Sequence, residues 1–291
     1  MDDETFRAWA HRAADWSVDY LAGVGERPVR AQVAPGEIFR QLPAAPPTEG
    51  EPMERIFSDL DRVVMPGMTH WQHPRFFGYF PSNGLLASVL GDYASTGLGV
   101  LGLSWQSSPA LTEVEEVVTD WMRQMLGLST EWSGVIQDTA STATMVALMT
   151  AREKTTQFSL TRGGLQAEPA PLIIYMTAHA HSSVDKAALL AGFGRHNIHI
   201  VAHDERFAMR PEALRARIVE DLAAGLRPCA IACTAGTTTT TAFDPLAAVA
   251  AIAKEFGVWL HVDAAMAGSG MILPELRPLW AGVDAADSLV I

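Results

Sequence analysis

The sequence predicts an α/β fold in which a mostly parallel sheet is flanked by helices and preceded by an N-terminal helical segment. From about residue 134, short apolar runs alternate with amphipathic runs of helical length. The apolar runs, typical of buried strands, lie near 172–176, 197–202, 228–234 and 258–262, and the helical runs lie near 140–154, 183–192, 211–224 and 245–256. Polar residues and glycines follow the strands directly, which is typical of ligand sites at the carboxyl edge of open α/β sheets.

The part of the chain before this alternation has a mostly helical pattern. Near the N-terminus, residues at steps of three and four predict an amphipathic helix with an aromatic stripe: Phe6, Trp9, Ala13, Trp16 and Tyr20. Residues 25–52 then hold six prolines and predict an irregular linker around a short helix. We therefore expect an N-terminal helical segment over residues 1–84 and a large α/β domain over residues 85–291.

The composition fits a globular protein with a sizeable core, since 48% of the residues are hydrophobic and 19% are charged. The net charge of −12 disfavours nucleic acid and anionic membranes as partners, and no apolar run reaches the roughly 18 residues of a membrane span. Cys229 and Cys233 lie in one predicted strand, too far apart for a mutual disulfide and unlike a zinc-binding spacing. Without a visible signal peptide after the acidic Met1–Glu4, we expect a reduced, cytoplasmic protein with no bound metal.

Asp263 is the most informative single residue. It follows the apolar run Val258–Leu260 closely, so it should stand at the carboxyl end of a buried strand, with Ala264 and Ala265 after it. A carboxylate in that position can hold a proton on a heterocyclic nitrogen, which the ring of pyridoxal phosphate requires to act as an electron sink. The alternative is an aspartate that only caps the next turn.

Two junctions that lead into helices are candidates for binding the same kind of group. Residues 134–144 open a helix whose free N–H groups can bind phosphate, and an ordinary cap at Asp138 or Thr139 is the alternative. His181 falls where a strand runs into the next helix, and we expect the pair Ser182–Ser183 to supply the cap. The imidazole either stacks on a planar cofactor or has a structural role.

A hydroxyl-rich loop follows the predicted strand near 228–234. Gly236 begins this loop and five threonines, Thr237–Thr241, continue it. Such a run is either a polar loop that lines a site or only a β-prone stretch. Asp244 and Pro245 then suit the start of a helix, with the aspartate as N-cap and the proline in the first turn.

Two N-terminal segments complete a series of motifs, HPRFFGYFPS at 73–82 and SWQSSPALTE at 104–113. In this order and spacing, the six segments resemble the group II pyridoxal-phosphate decarboxylases, the aromatic L-amino acid decarboxylase family. The resemblance covers essentially the whole chain. It implies fold type I of the pyridoxal-phosphate enzymes, similar to aspartate aminotransferase, with pyridoxal 5'-phosphate as cofactor. It also implies a homodimer, with residues 1–84 packed across the subunit interface.

The resemblance further implies roles for the residues at matching positions. Asp263 would partner the pyridine nitrogen and His181 would stack on the ring, so these two are the expected catalytic residues. The expected cofactor-binding residues are Ala140, Ser141, His181, Thr238, Asp263 and Ala265. The expected substrate-binding residues are Tyr79, Phe80, Ser82, Leu101 and Leu103. Met266 stands where the family often has an aromatic residue, which leaves the shape of the pocket open.

The implied reaction converts an aromatic L-amino acid of the Trp, Tyr, Phe or DOPA type to its amine and carbon dioxide, since the expected pocket is apolar. This chemistry requires a lysine that binds the cofactor covalently. Lys154, Lys186 and Lys254 each lie in or at the end of a predicted helix rather than after a strand near Asp263. In the family pattern the lysine would lie about four residues beyond Ile291, so we expect the sequence to be the N-terminal part of a longer enzyme.

Several alternatives remain open at this point. An aromatic aldehyde synthase, a decarboxylase of acidic amino acids and an aminotransferase would all use the same fold and cofactor. A non-catalytic fragment that lacks the lysine is a further alternative. The loop that would separate a decarboxylase from an aldehyde synthase lies beyond Ile291 in the family pattern.

Overall fold

The computed structural model describes residues 1–80 and 83–291. Along the chain, these residues divide into two units, Met1–Val100 and Leu101–Ile291. The division lies just after a helix that ends at Leu98, whereas the sequence pattern suggests a boundary near residue 84.

Helices form the first unit. The first of them, α1 (Asp3–Gly23), begins after Asp2, whose carboxylate accepts a hydrogen bond from Thr5 N at 2.8 Å and caps the helix. The other elements are a 3₁₀ turn (Val24–Glu26), α2 (Glu37–Gln41), α3 (Met53–Asp59), a π-helical turn (Leu60–Val64), a 3₁₀ turn (Met65–Gly67) and α4 (Leu86–Leu98).

The aromatic stripe of α1 makes contacts within its own unit. Trp9 stacks on Phe57 with ring centroids 5.1 Å apart. Trp16 donates from Nε1 to the Asp61 carboxylate at 2.9 Å, but Phe6 remains 51% exposed. The predicted amphipathic helix is confirmed, although none of the described residues of α1 is fully buried.

Within the described part of the second unit, parallel strands form one sheet in the order β2-β1-β3-β4-β5. The strands are β1 (Leu172–Thr177), β2 (Ile198–Val201), β3 (Arg227–Thr234), β4 (Trp259–Asp263) and β5 (Ser288–Val290). Thr234 at the end of β3 pairs with Asp263 at the end of β4. The strand order reverses between β1 and β3, and such a switch point is where open parallel sheets bind ligands.

Helices cover both faces of this sheet. They are α5 (Pro109–Leu126), α6 (Ala140–Thr156), α7 (Ser182–Leu190), α8 (Pro211–Ala223) and α9 (Leu246–Phe256). On one face, α6 and α7 pack against small strand residues such as Ala230 and Ala232. On the other face, α8 and α9 pack against larger residues such as Ile231 and Leu260. β1 is buried along its whole length, as a strand covered on both faces must be.

Short 3₁₀ turns complete the second unit: Ser159–Thr161, Leu165–Ala167, Arg195–Asn197, Gly268–Ile272, Arg277–Trp280 and Val283–Ala285. The predicted fold class is confirmed, and the predicted strands and helices of the alternating region lie within two residues of the observed bounds. Cys229 and Cys233 are buried and free. None of the helices in the described ranges is long and apolar enough to cross a membrane.

Candidate active site

Three predicted cofactor-binding residues, His181, Thr238 and Asp263, lie at the carboxyl edge of the sheet because β1, β3 and β4 all end there. The orientation of α6 follows from contacts at its far end. The Thr155 carbonyl accepts a hydrogen bond from Arg227 at the start of β3 at 2.8 Å, and Lys154 pairs with Asp287, just before β5, at 3.0 Å. With its C-terminus at the amino edge, α6 directs its N-terminus, which carries Ala140–Ser141, towards the carboxyl edge.

Asp263 ends β4 and is almost fully buried, with 6% of its surface exposed. Burial raises the pKa of its carboxyl, while the N–H of Ala265 and the nearby His181 ring oppose that rise. Oδ1 accepts from Ala265 N at 3.2 Å, whereas Oδ2 has no hydrogen-bond partner among the described residues. The turn-capping interpretation therefore holds for one oxygen only, and the other is available to a cation or a proton donor.

His181 lies between β1 and α7 and is itself the N-cap of α7. The prediction that the Ser182–Ser183 pair supplies the cap is wrong, because the His181 Nδ1 accepts from Ser183 N at 3.3 Å and lies 2.8 Å from Ser183 Oγ. An amide N–H can only donate, so Nδ1 carries the lone pair and the neutral ring carries its proton on Nε2. The ring is exposed, so this second N–H is accessible to a ligand.

Thr139 caps the N-terminus of α6, since its Oγ1 accepts from Thr142 N at 3.2 Å. Of the two caps that the sequence suggests, Thr139 is thereby confirmed. The amides of Ala140 and Ser141 have no acceptor within the described part of the chain, as expected for a first helical turn. With the helix dipole, these two N–H groups suit an anion such as phosphate.

The loop after β3 is organised by Thr237, a neighbour of the predicted Thr238. Thr237 is buried, and its Oγ1 accepts from the N–H groups of Thr240 and Ala242 at 3.3 and 3.1 Å. Thr238 is exposed and makes no hydrogen bond with the described residues. Its hydroxyl is therefore presented to solvent by a loop that its neighbour holds in shape.

Gly236 and Asp244 hold the same loop beside β4. Gly236 has a φ of +85°, and a Cβ there would lie 2.7 Å from the Ala267 Cβ, so only glycine fits this close approach. The sequence predicts that Asp244 caps α9, and this prediction is wrong. Its buried carboxylate instead accepts from Met209 N and Thr234 N, both at 2.7 Å, and the next residue occupies the cap position.

Sequence reasoning missed the supporting roles of Ser183 and Thr237. Ser183 fixes the tautomer of His181, and Thr237 shapes the loop that presents Thr238. Each is a hydroxyl residue within two positions of a predicted site residue, which is the only signal the sequence offers. Three-dimensional contacts are needed to distinguish Ser183 and Thr237 from neighbours that are equally polar.

The predicted substrate-binding residues are exposed in the single chain. Tyr79 and Phe80, in the first unit, are 75% and 55% exposed. Leu101 and Leu103, at the start of the second unit, are 70% and 78% exposed. Ser82 lies outside the described residues. The assignment of these residues to a substrate pocket stays a prediction.

The groups at the carboxyl edge fit pyridoxal phosphate in their chemistry. The protonated ring nitrogen requires an anion, and Asp263 offers a buried carboxylate with a free oxygen. The phosphate requires N–H donors, and Ala140–Ser141 offer two at a helix N-terminus. The flat ring requires small or planar neighbours, and Ala265 and the His181 imidazole are of that kind.

The chain is similar to known proteins along nearly its whole length. Residues 35–291 match the family described as the pyridoxal-dependent decarboxylase conserved domain. The chain is 40% identical to phenylacetaldehyde synthase of Arabidopsis thaliana, over 99% of this chain and 59% of that protein. It is 42% identical to the aromatic-L-amino-acid decarboxylase of Mus musculus, over 99% of this chain and 62% of that protein.

Among solved structures, Catharanthus roseus tryptophan decarboxylase in complex with L-tryptophan is similar with a TM-score of 0.93 and 37% identity. The match covers 99% of this chain and 62% of that one. The chain thus spans about six-tenths of the length of these relatives. Family model, sequence relatives and fold agree, and the chain belongs to the pyridoxal-dependent decarboxylase family.

Proposed function

We propose that this chain is part of an enzyme that uses pyridoxal 5'-phosphate to decarboxylate an aromatic L-amino acid to its amine and carbon dioxide. The observation that carries the proposal is the buried Asp263 carboxylate, with one oxygen free, at the sheet edge that also receives His181 and the N-terminus of α6. Family membership supports it, since relatives along nearly the whole chain include an aromatic-L-amino-acid decarboxylase.

The cofactor-binding roles follow from the chemistry of each group. Bound pyridoxal phosphate supplies a ring that accepts the electron pair left when carbon dioxide departs. Asp263 holds the proton on the ring nitrogen through its free oxygen, and burial strengthens that interaction. Ala140 and Ser141 would hold the phosphate through their amides, Thr238 would offer its hydroxyl to the cofactor, and Ala265 would support one face of the ring.

With the cofactor bound, His181 would stack on the other face of its ring. Because Nδ1 is occupied as an acceptor by Ser183, the imidazole presents Nε2–H as a donor. A donor at this place suits the carboxylate of an amino acid substrate. His181 would thus position the carboxylate that is lost through its donated Nε2–H.

The substrate class follows from the apolar residues assigned to the pocket. Tyr79, Phe80, Leu101 and Leu103 present aromatic and aliphatic surface, and Ser82 adds one hydroxyl. An acidic side chain would lose its hydration there without a compensating cation, which is costly. An aromatic side chain would bury apolar area instead.

We further propose a cytoplasmic homodimer that binds neither nucleic acid nor a membrane. The support for a dimer is the exposed apolar surface of α4, where Leu90 and Tyr93 are 67% and 52% exposed. The segment 1–84 would take part in the same interface. The two buried, free thiols are consistent with a reducing compartment. Fractionation of source cells tests the compartment.

The cofactor-binding lysine is proposed to lie beyond Ile291. Lys154 and Lys254 sit near the C-terminal ends of α6 and α9, which lead to the amino edge of the sheet, away from Asp263. Lys186 lies within α7 on an exposed position. The reaction requires a lysine that binds the cofactor, so we propose that it takes place in a longer protein, of the length that the relatives have.

The test is an assay of the full-length protein, including the residues after Ile291, with saturating pyridoxal phosphate. Tryptophan, tyrosine, phenylalanine, dihydroxyphenylalanine, glutamate and histidine are each supplied, and amine and carbon dioxide are measured. Amine from one or more aromatic substrates is the expected result. Preference for glutamate would overturn the pocket assignment, and keto acid as main product would indicate an aminotransferase.

An aromatic aldehyde synthase is the second candidate. The specific observation in its favour is the 40% identity to phenylacetaldehyde synthase over 99% of this chain. The same assay separates the two, since an aldehyde synthase releases aldehyde, ammonia and hydrogen peroxide together with carbon dioxide. Absence of peroxide and a full yield of amine would exclude it.

A further inference from the structure

His179 and His203 form a pair at the carboxyl edge of the sheet that the proposed reaction does not use. Their Nε2 atoms lie 3.3 Å apart, and their ring centroids lie 4.6 Å apart. Each histidine follows the end of its strand by two residues, and the strand ends Thr177 and Val201 pair in the β1–β2 register. The parallel pairing of β1 and β2 therefore brings the two rings together.

The surroundings hold His203 in the tautomer that leaves its Nε2 lone pair available to a metal. Its Nδ1 lies 2.8 Å from the Asp204 carbonyl, which only accepts, so Nδ1 carries the proton and Nε2 the lone pair. A hydrogen bond of this kind typically orients a metal-binding histidine. The loop is fixed as well, because Asp204 Oδ1 accepts from Arg206 N at 2.8 Å and Ala208 N at 3.0 Å. The Phe207 ring packs against both imidazoles.

The separation of the two nitrogens equals that of two ligands on one ion. Metal–nitrogen bonds of about 2.0–2.1 Å at a tetrahedral angle place two nitrogens about 3.3–3.4 Å apart. Both rings are half-exposed, so an ion can reach them with water still attached. Asp204 directly follows His203 in the chain and is exposed, and a carboxylate so close by favours a cation.

We propose that His179 and His203 form a two-histidine site for a late first-row divalent metal ion, with water completing the coordination. Among the described residues, no group of three or more His, Cys, Asp or Glu side chains is suited to a metal. Two imidazoles are therefore the protein ligands, and the ion exchanges readily. The affinity follows the order of imidazole complexes, with Cu²⁺ bound more tightly than Ni²⁺ or Zn²⁺.

Binding has a defined proton balance. In the metal-free pair, His179 donates Nε2–H to the lone pair of His203. The ion takes both Nε2 lone pairs, so the His179 proton moves to its own Nδ1.

The experiment uses the full-length protein, treated with a chelator, with the same saturating pyridoxal phosphate in every sample. The wild type, H179Q and H203Q are titrated by calorimetry with chlorides of Cu²⁺, Ni²⁺ and Zn²⁺. H196Q is the matched control, since His196 is exposed on the 3₁₀ turn Arg195–Asn197, outside the pair. Circular dichroism confirms that each variant is folded.

The wild type and H196Q should bind one more ion per chain than H179Q and H203Q, or bind it at least about tenfold more tightly. Electron paramagnetic resonance of one equivalent of Cu²⁺ on the wild type should show two nitrogen ligands, and this measurement needs no variant. Equal titrations for the wild type and both pair variants, or a Cu²⁺ spectrum without two nitrogens, would mean a hydrogen-bonded pair only.

Discussion

The two units of the chain bury their apolar residues to very different degrees. In the second unit, β1 is buried along its whole length and the sheet has apolar layers on both faces. In the first unit, neither α1 nor α4 has a buried residue among those described. The second unit thus has a core of its own, whereas the helices of the first unit leave much of their apolar surface in contact with solvent.

This difference bears on the proposed homodimer. Soluble monomers rarely expose large contiguous apolar patches, because such surfaces associate. The apolar residues Leu90 and Tyr93 on α4 are exposed, while the carboxyl edge of the sheet carries the polar groups of the site. We therefore expect substitutions in the second unit to affect chemistry and folding, and substitutions on α4 to affect association.

The largest effect is expected from Asp263→Asn in the full-length enzyme. The amide cannot hold the ring nitrogen in its charged form, so kcat should fall about 100-fold or more. Asp221→Asn is a matched control, since Asp221 is also buried but pairs with His199 at 2.7 Å and Arg217 at 3.2 Å. Steady-state turnover with saturating cofactor measures both.

Asp221→Asn should instead lower the free energy of unfolding by about 1–3 kcal/mol, because it weakens buried charge-assisted hydrogen bonds. Its kcat should stay within about threefold of the wild type. Equal losses of turnover in the two variants would mean that Asp263 acts through packing alone.

The next largest effect is a loss of folding stability at acid pH that depends on His261 in β4. Its Nδ1 lies 2.9 Å from Ser288 Oγ, while its Nε2 is buried without a partner in the described structure. Burial lowers the pKa of His261 to about 4. The unfolded chain, with a pKa of about 6.5, binds the proton more strongly. Above about pH 6.5, His261 is neutral in both states and does not lower the free energy of unfolding. As the pH falls from there towards 4, proton uptake by the unfolded chain lowers that free energy.

Unfolding by denaturant at pH 7 and pH 4.5 tests this, with His261→Gln beside the wild type. The advantage of the wild type over the variant should shrink by on the order of 2–3 kcal/mol at the lower pH. Asp244, whose pKa burial raises to about 6, acts in the opposite direction, since its protonation favours the folded state. It is present in both proteins, so their difference isolates His261. Parallel pH profiles would contradict the prediction.

The sheet was predictable because its strands have a residue pattern that only burial on both faces explains. Leu172–Thr177 is an apolar run between turn residues, and the position of Asp263 at a strand end follows directly from such runs. The cap of α7 was not predictable, because His181 and the following serines can all accept from a helix amide. Asp244 was misassigned because its donor Met209 lies 35 residues away in sequence.

A smaller effect is expected from Leu90→Asp on α4. A charge on this exposed apolar surface should weaken a dimer by at least about tenfold in dissociation constant, since interface centres tolerate unpaired charge poorly. Leu190→Asp on α7 is the control, because Leu190 is 76% exposed at the end of a helix in the second unit. Sedimentation equilibrium of the full-length protein measures both. A wild type that is monomeric at micromolar concentration would refute the dimer.

The smallest effect comes from a matched pair of tryptophans. Trp16 donates to the exposed Asp61 in the first unit at 2.9 Å. Trp259 donates to Ser288 in the second unit at 2.8 Å. The Nζ of Lys154 lies 4.9 Å from the centroid of the Trp259 ring. Tryptophan to phenylalanine keeps an aromatic ring but removes the N–H. Water replaces the lost donor at the surface, so W16F should cost under about 0.5 kcal/mol. W259F leaves a half-buried hydroxyl without its donor and weakens the cation contact, so it should cost about 1–2 kcal/mol. Denaturant unfolding measures both, and equal costs would mean that directed contacts stabilise the two units alike.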